Sequence, residues 1–218
     1  MLNLYLMRHG QSLDNLNGVL GGRRDEPLTP LGESQVLAAA QFLKGLGVTF
    51  DAIYTSPLER AKHSTDIVRG VLKLSWPEVV DDLTERDVGT LTGEPVSRIE
   101  ELCAPNILKT EESEEGDGAE SVTYFLSAKG AETFPQMMTR ARRLLKRIAV
   151  RYPHGNIILV THGDIGKMLY ASYYDFDWKE VLTAFNFGNA DILLLSADAV
   201  DGGAHIYKAE IQTKTGER

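Results

Sequence analysis

The stretch Leu2-Asn3-Leu4-Tyr5-Leu6-Met7-Arg8-His9-Gly10 decides the fold class. Its first six residues are short, almost wholly apolar and bounded by a polar turn, which predicts a buried strand. Two later stretches repeat the pattern. Asn156 to Thr161 carries Ile-Ile-Leu-Val and ends in His162-Gly163, and Asp51 to Thr55 ends in Ser56-Pro57. Between such strands the apolar residues change to helical spacing. Thr29-Pro30 opens a helix, because Thr caps well and Pro fits the first turn. Val36, Leu37, Ala40 and Leu43 form its expected buried face, and Gly45 or Gly47 stops it. Leu58 to Leu74 predicts a second helix with Leu58, Ala61, Thr65, Val68 and Leu72 inward. Thr133 to about Tyr152 predicts a long amphipathic helix, with Phe134, Met137, Met138, Ala141, Leu144, Leu145 and Ile148 at helical spacing. Asp164 to about Tyr173 predicts another. Residues 11–28 read as a Gly-rich loop and 75–130 as irregular. Asp191 to Ser196 and His205 to Gln212 read as final strands joined across Gly202-Gly203.

Strands alternating with helices predict an α/β three-layer sandwich, a mostly parallel central sheet flanked by helices. The last two strands are expected to pair antiparallel. No repeat or linker interrupts the chain, so residues 1–218 read as a single domain. Residues 90–130 read as an insertion or lid over the sheet's rim.

Composition narrows the function classes. No run of about 18 apolar residues exists, so no membrane span is expected. The apolar start lacks a basic region before it and meets Arg8 at once, which is unlike a signal peptide. Cys103 is the only cysteine, so no intrachain disulfide and no Cys-rich metal site can form. A cytoplasmic protein is the expectation. The net charge of −8, with no Lys/Arg stripe, argues against a nucleic-acid partner. It also means that an anionic substrate must be drawn by a local positive site against an adverse field.

Such a site is visible. In open α/β sheets ligands bind beyond the carboxyl ends of the strands. Those ends deliver Arg8, His9 and Gly10; Ser56 with Arg60 in the next helical turn; and His162 with Gly163. Helix N-termini after these turns add N–H donors for an anion. Arginine forks match phosphate oxygens. A neutral imidazole between them is a competent nucleophile. A second histidine can donate where charge builds, and a carboxylic acid must protonate the leaving alkoxide.

These residues resemble a known family. Leu6-Met7-Arg8-His9-Gly10-Gln11-Ser12 with Asn15, Asp25 to Gly32, Tyr54 to Ala61, Leu83 to Gly89 and Val160 to Gly163 are similar, in order, to the motifs of the histidine phosphatase superfamily. That family includes phosphoglycerate mutases and fructose-2,6-bisphosphatases. The resemblance implies a phosphoglycerate mutase-like fold and a phosphohistidine on His9. Arg8, Arg60, His162 and Gly163 would hold the phosphoryl group, and Glu85 would serve as acid and base. Asn15 would contact phosphate, with Gln11, Gly22 and Asn189 nearby. No metal or organic cofactor is implied, and the expected partner is a small phosphorylated substrate.

Plainer roles stand beside these. Asn15 can cap a turn, Glu100 and Glu101 are rival acids, and Gly21 to Arg24 is either a basic lip or a solvated loop. His63, His154 and His205 read as structural or exposed. The run Glu111 to Asp117 reads as a solvated loop, or as a lid that repels highly charged anions or meets a cationic partner. Cysteine-phosphatase, Walker, His-Glu-x-x-His and Gly-x-Ser-x-Gly patterns are absent. A mutase needs arginines to hold a substrate carboxylate, yet residues 90–130 carry only Arg98 and are acidic, and Val88 stands where the mutases have Tyr. Hydrolysis of a phosphomonoester is therefore expected over mutase-type transfer or a phosphoprotein-directed module, and 3-phosphoglycerate is not expected to be isomerised.

Overall fold

The structure, a computed structural model, describes residues 1–109, 123–197 and 205–209. Along the chain run β1 (Leu2–Arg8), the single turn α1 (Leu13–Leu16), α2 (Pro30–Gly45), β2 (Ala52–Thr55), α3 (Glu59–Leu72) and β3 (Glu78–Val79). Then come α4 (Ile99–Cys103), β4 (Ile107–Lys109), β5 (Thr123–Phe125), α5 (Phe134–Arg151) and β6 (Gly155–Thr161). The chain closes with α6 (Gly163–Tyr174), α7 (Trp178–Ala184), β7 (Ile192–Leu195) and β8 (His205–Tyr207).

Six strands form one sheet in the order β3-β2-β6-β1-β7-β8. β3, β2, β6 and β1 are mutually parallel, while β7 and β8 run antiparallel at the far edge. β4 and β5 pair antiparallel in a separate small sheet. Strand pleating explains why the central strands are apolar throughout. Leu4, Leu6, Ile157 and Leu159 face the layer of α5, α6 and α7. Tyr5, Met7, Ile158 and Val160 face the layer of α2 and α3. Each such side chain contributes about 1.5–3 kcal/mol when fully buried. The expected α/β sandwich is what the chain forms.

The helix starts follow from capping. Thr29 accepts from Gly32 N–H at 3.0 Å, and Thr133 with Gln136 forms a capping box that opens α5. Several expectations need correction. Leu37 lies 43% exposed, because Ala39 sits closer to the inward direction set by Val36, Ala40 and Leu43. Leu72 is only partly buried. The loop at 11–28 holds α1, opened by a capping box between Ser12 and Asn15. The irregular stretch holds β3, α4, β4 and β5, and α7 follows α6 unannounced. The acidic run at 111–120 and residues 210–212 of the expected last strand lie outside the described residues.

Candidate active site

The parallel register of β1 and β6 pairs Arg8 with Thr161. The next residues, His9 and His162, therefore leave the same sheet edge side by side, with ring centroids 5.0 Å apart. The backbone of His9 is tied on both sides: its N–H donates to Thr161 O at 3.0 Å, and its carbonyl accepts from Ala190 N–H at 3.1 Å.

The ring of His9 is set by one short contact. Its Nδ1 lies 2.6 Å from Gly10 O. A carbonyl only accepts, so Nδ1 carries the proton and Nε2 keeps the lone pair. Arg60 Nε donates to that Nε2 at 3.2 Å. Burial first, then the charges of Arg60 and Arg8, hold the imidazole well below the usual histidine range. His9 is thus neutral, which a nucleophile requires.

The remaining donors surround it. Arg60 is pinned by Gly22 O at 2.8 Å and Arg24 O at 2.6 Å. Gly22 adopts φ +51°, and a Cβ there would meet Val88 at 2.7 Å, so glycine suits this turn. The loop at 21–24 therefore meets Arg60 through its carbonyls. The side chain of Arg23 pairs with Asp87 and Glu132, and that of Arg24 with Asp14 and Glu26. Arg8 donates through Nη1 to Phe187 O at 2.7 Å. His162 Nε2 meets Ser56 Oγ at 2.7 Å. Arg8 Nε and His162 Nδ1 are buried without a hydrogen-bond partner. Buried unpaired polar atoms are costly and call for an explanation, and a ligand oxygen supplies one. His162 is also held neutral, by burial foremost and then by Arg60, His9 and Arg8.

Glu85 docks on the start of α6. Its Oε1 accepts from Arg86 N–H at 2.8 Å and Ile165 N–H at 3.2 Å, and its Oε2 from Asp164 N–H at 3.3 Å. The segment carrying it is clamped by Arg140, which donates to Asp82 O at 2.7 Å and Thr84 O at 2.6 Å. Thr161 Oγ1 adds a bond to Leu83 O at 2.8 Å.

A cavity of about 250 Å³ opens over this edge, lined in part by Arg8, His9, Asn15, Arg60, Glu85 and Gly163. Gly22 lines it too, whereas Gln11, Asn189 and the buried His162 are not among the lining residues. Asn15 Oδ1 accepts from Ser12 N–H at 3.1 Å and from Asn189 Nδ2 at 3.0 Å, so Asn15 caps α1 and lines the cavity at once. Asn189 also donates to His9 O at 3.2 Å. Gln11 Oε1 accepts from Thr29 Oγ1 at 2.8 Å. Glu100 and Glu101 are not among the lining residues, and Glu101 pairs with Arg98. His63 and His154 sit on the surface, and His205 lies by Asp191. A larger cavity of about 740 Å³ lies elsewhere, lined by Lys73, Trp76 and Tyr152, and holds no histidine. Among the described residues no three His, Cys, Asp or Glu side chains gather as metal ligands.

Sequence reasoning missed Arg86, Arg140, Tyr124, Asp164 and Lys167. Arg86 is 1% exposed and stacked between Phe125 and Phe134. Lys167, 2% exposed, donates to Tyr124 Oη at 2.9 Å, to Leu182 O at 2.7 Å and to Phe185 O. Burial pushes its ammonium down to about 8. Burial, then neighbouring Glu85, raises the Asp164 carboxyl above the usual range.

The uncharacterized phosphatase PhoE of Bacillus subtilis is 29% identical over 163 residues, 75% of this chain and 72% of that one. A 2,3-bisphosphoglycerate-dependent phosphoglycerate mutase of Allorhizobium ampelinum is 42% identical, but over 92 residues, 41% of this chain and 44% of that one. A mycobacterial glucosyl-3-phosphoglycerate phosphatase superposes with TM-score 0.72 at 24% identity, covering 89% and 92% of the two chains. Phosphoserine phosphatase of Entamoeba histolytica superposes with TM-score 0.67 at 25% identity, covering 89% and 90%. Residues 4–206 match the family profile, and the chain belongs to the histidine phosphatase superfamily (branch 1).

Proposed function

We propose that the protein is a metal-independent phosphomonoesterase acting through a phosphohistidine on His9. The observation that carries this is the geometry of His9: Nδ1 bonded to Gly10 O, Nε2 accepting from Arg60, and the His162 ring 5.0 Å away. In the first step Nε2 attacks phosphorus, the P–N bond forms and the ester P–O bond breaks. Arg60 gives up its contact with Nε2 as the phosphoryl group arrives and donates to phosphoryl oxygens instead. Arg8 Nε and His162 Nδ1, unpaired beforehand, gain the same oxygens as acceptors. Donors already aimed where charge develops cost no reorganisation in the transition state. The leaving alkoxide takes a proton from Glu85. Water then attacks phosphorus and returns a proton to Glu85, the P–N bond breaks, and inorganic phosphate leaves.

Hydrolysis of p-nitrophenyl phosphate with EDTA present tests this, comparing wild type with His9→Ala. We expect wild-type turnover to survive chelation and the variant to lose at least about a thousandfold in kcat. Equal activity in both proteins would remove His9 as nucleophile. Loss of activity with EDTA would remove metal independence.

A further inference from the structure

The leaving-group side of the cavity has its own charge pattern. Beyond the two arginines that face the phosphoryl group, its cations are already committed. An ammonium has three donors, and all three of Lys167 are taken by Tyr124, Leu182 and Phe185. Arg86 lines the cavity but is 1% exposed, and it donates from Nε to Glu132 O, from Nη1 to Phe125 O and from Nη2 to Leu126 O. At the lip, Arg23 and Arg24 each meet two carboxylates. Farther out, Arg98 pairs with Glu94 and Glu101, and Lys109 with Glu100.

The carboxylates are placed otherwise. Asp14, Glu85 and Asp164 all line the cavity. Asp164 Oδ2 and Arg86 Nη1 form a long ion pair at 3.8 Å, too far apart for a hydrogen bond. Tyr124 Oη accepts from Lys167, which leaves its own O–H free to donate. Val19, Leu20, Val88, Ile99 and Phe125 add an apolar portion to a wall that also holds Ser12, Asn15, Thr123 and Asn186.

On the footing of the phosphomonoesterase assigned above, we infer that this subsite selects monophosphate esters of alcohols that carry no second anionic group, with Asp164 as the residue that refuses one. A second phosphate or a carboxylate on the alcohol would meet Asp164 and Glu85, while Lys167 has no donor to spare and Arg86 is only 1% exposed. A hydroxyl meets acceptors in Asp164 and a donor in Tyr124. Specificity of this kind comes from the misfit of the wrong ligand as much as from the fit of the right one. It divides this site from any that must grip a phosphoglycerate.

A matched pair of ligands isolates the effect. Glycerol 3-phosphate and 3-phosphoglycerate differ in a CH2OH against a carboxylate. Titration calorimetry of each into His9→Ala, at about pH 8 and low salt, reads binding without turnover. Competition by each against p-nitrophenyl phosphate hydrolysis reads it in the wild type. We expect glycerol 3-phosphate to bind at least about tenfold tighter, near 1.4 kcal/mol, and Asp164→Asn to shrink that ratio. Equal or tighter binding of 3-phosphoglycerate, or no binding of glycerol 3-phosphate, overturns the inference. A ratio unmoved in Asp164→Asn overturns the role of Asp164. The calorimetric selectivity needs no catalysis, so failure of the phosphatase assignment would show separately, as a wild type that binds and never hydrolyses.

Discussion

At the residue scale the site is a set of bonds made and bonds withheld. His9 has its proton placed by Gly10 O, whereas Arg8 Nε and His162 Nδ1 are left unpaired. Glu85 is anchored by three backbone N–H groups, which aims the carboxyl and leaves the rest of Oε2 facing the cavity. If Glu85 is the acid, its loss must depend on the leaving group. Glu85→Gln should lower kcat by about 100-fold or more on an alkyl phosphate and far less on p-nitrophenyl phosphate, whose phenolate needs little protonation. Equal losses on both substrates would assign Glu85 to positioning alone. Arg8, His9, Arg60 and His162 were legible because each sits where a local apolar period stops. Asn189 reaches His9 O across the whole fold, and no local pattern announces such a bond.

Elements carry the next level. Helix α6 is apolar nearly all round, with Ile165, Met168, Leu169 and Ala171 buried, and a helix of that kind has no solvated face. That was the available signal that Lys167 must be buried and fully bonded; read singly, a lysine after Gly166 looks like surface. Its ammonium joins α6 to the end of α7 and to β5. Lys167→Met should leave Leu182 O and Phe185 O without their donor. Relief of the buried charge offsets part of that cost. The expected net loss is about 2 kcal/mol, roughly 4–8 °C in Tm, measured by thermal unfolding. An unchanged Tm would mean that the two carbonyls find other partners. The stretch 75–130 was illegible for a related reason. β3 has two residues and β4 and β5 three each, too short for any period to show. Their places are set by the sheet edge, by α4 and by Arg86.

The whole molecule must keep both active-site imidazoles neutral. His9 and His162 titrate below the usual range in the fold, chiefly through burial, and near 6.5 in the unfolded chain. As pH falls below about 6.5 the unfolded chain therefore binds protons that the fold refuses, and stability falls with pH. The slope is at most about 1.4 kcal/mol per pH unit for each histidine. Urea unfolding between about pH 7.5 and 5.5 should show this decline, and His9→Gln should reduce it. A flat profile would mean that the rings are not held neutral. No described helix is long and apolar enough to cross a membrane.

The sheet order has a consequence in time. β1 lies between β6 and β7, so residues 2–8 find their partners only at residues 155–161 and 192–195. Contacts so distant in sequence are slow to form. On the ribosome the proposed nucleophile, His9, is made well before the strands at 155–161 and 192–195 that seat it, at about 5–20 residues per second. Until those partners are made the nascent chain carries an unpaired apolar strand, a natural client for chaperones, and the site that His9 belongs to cannot assemble.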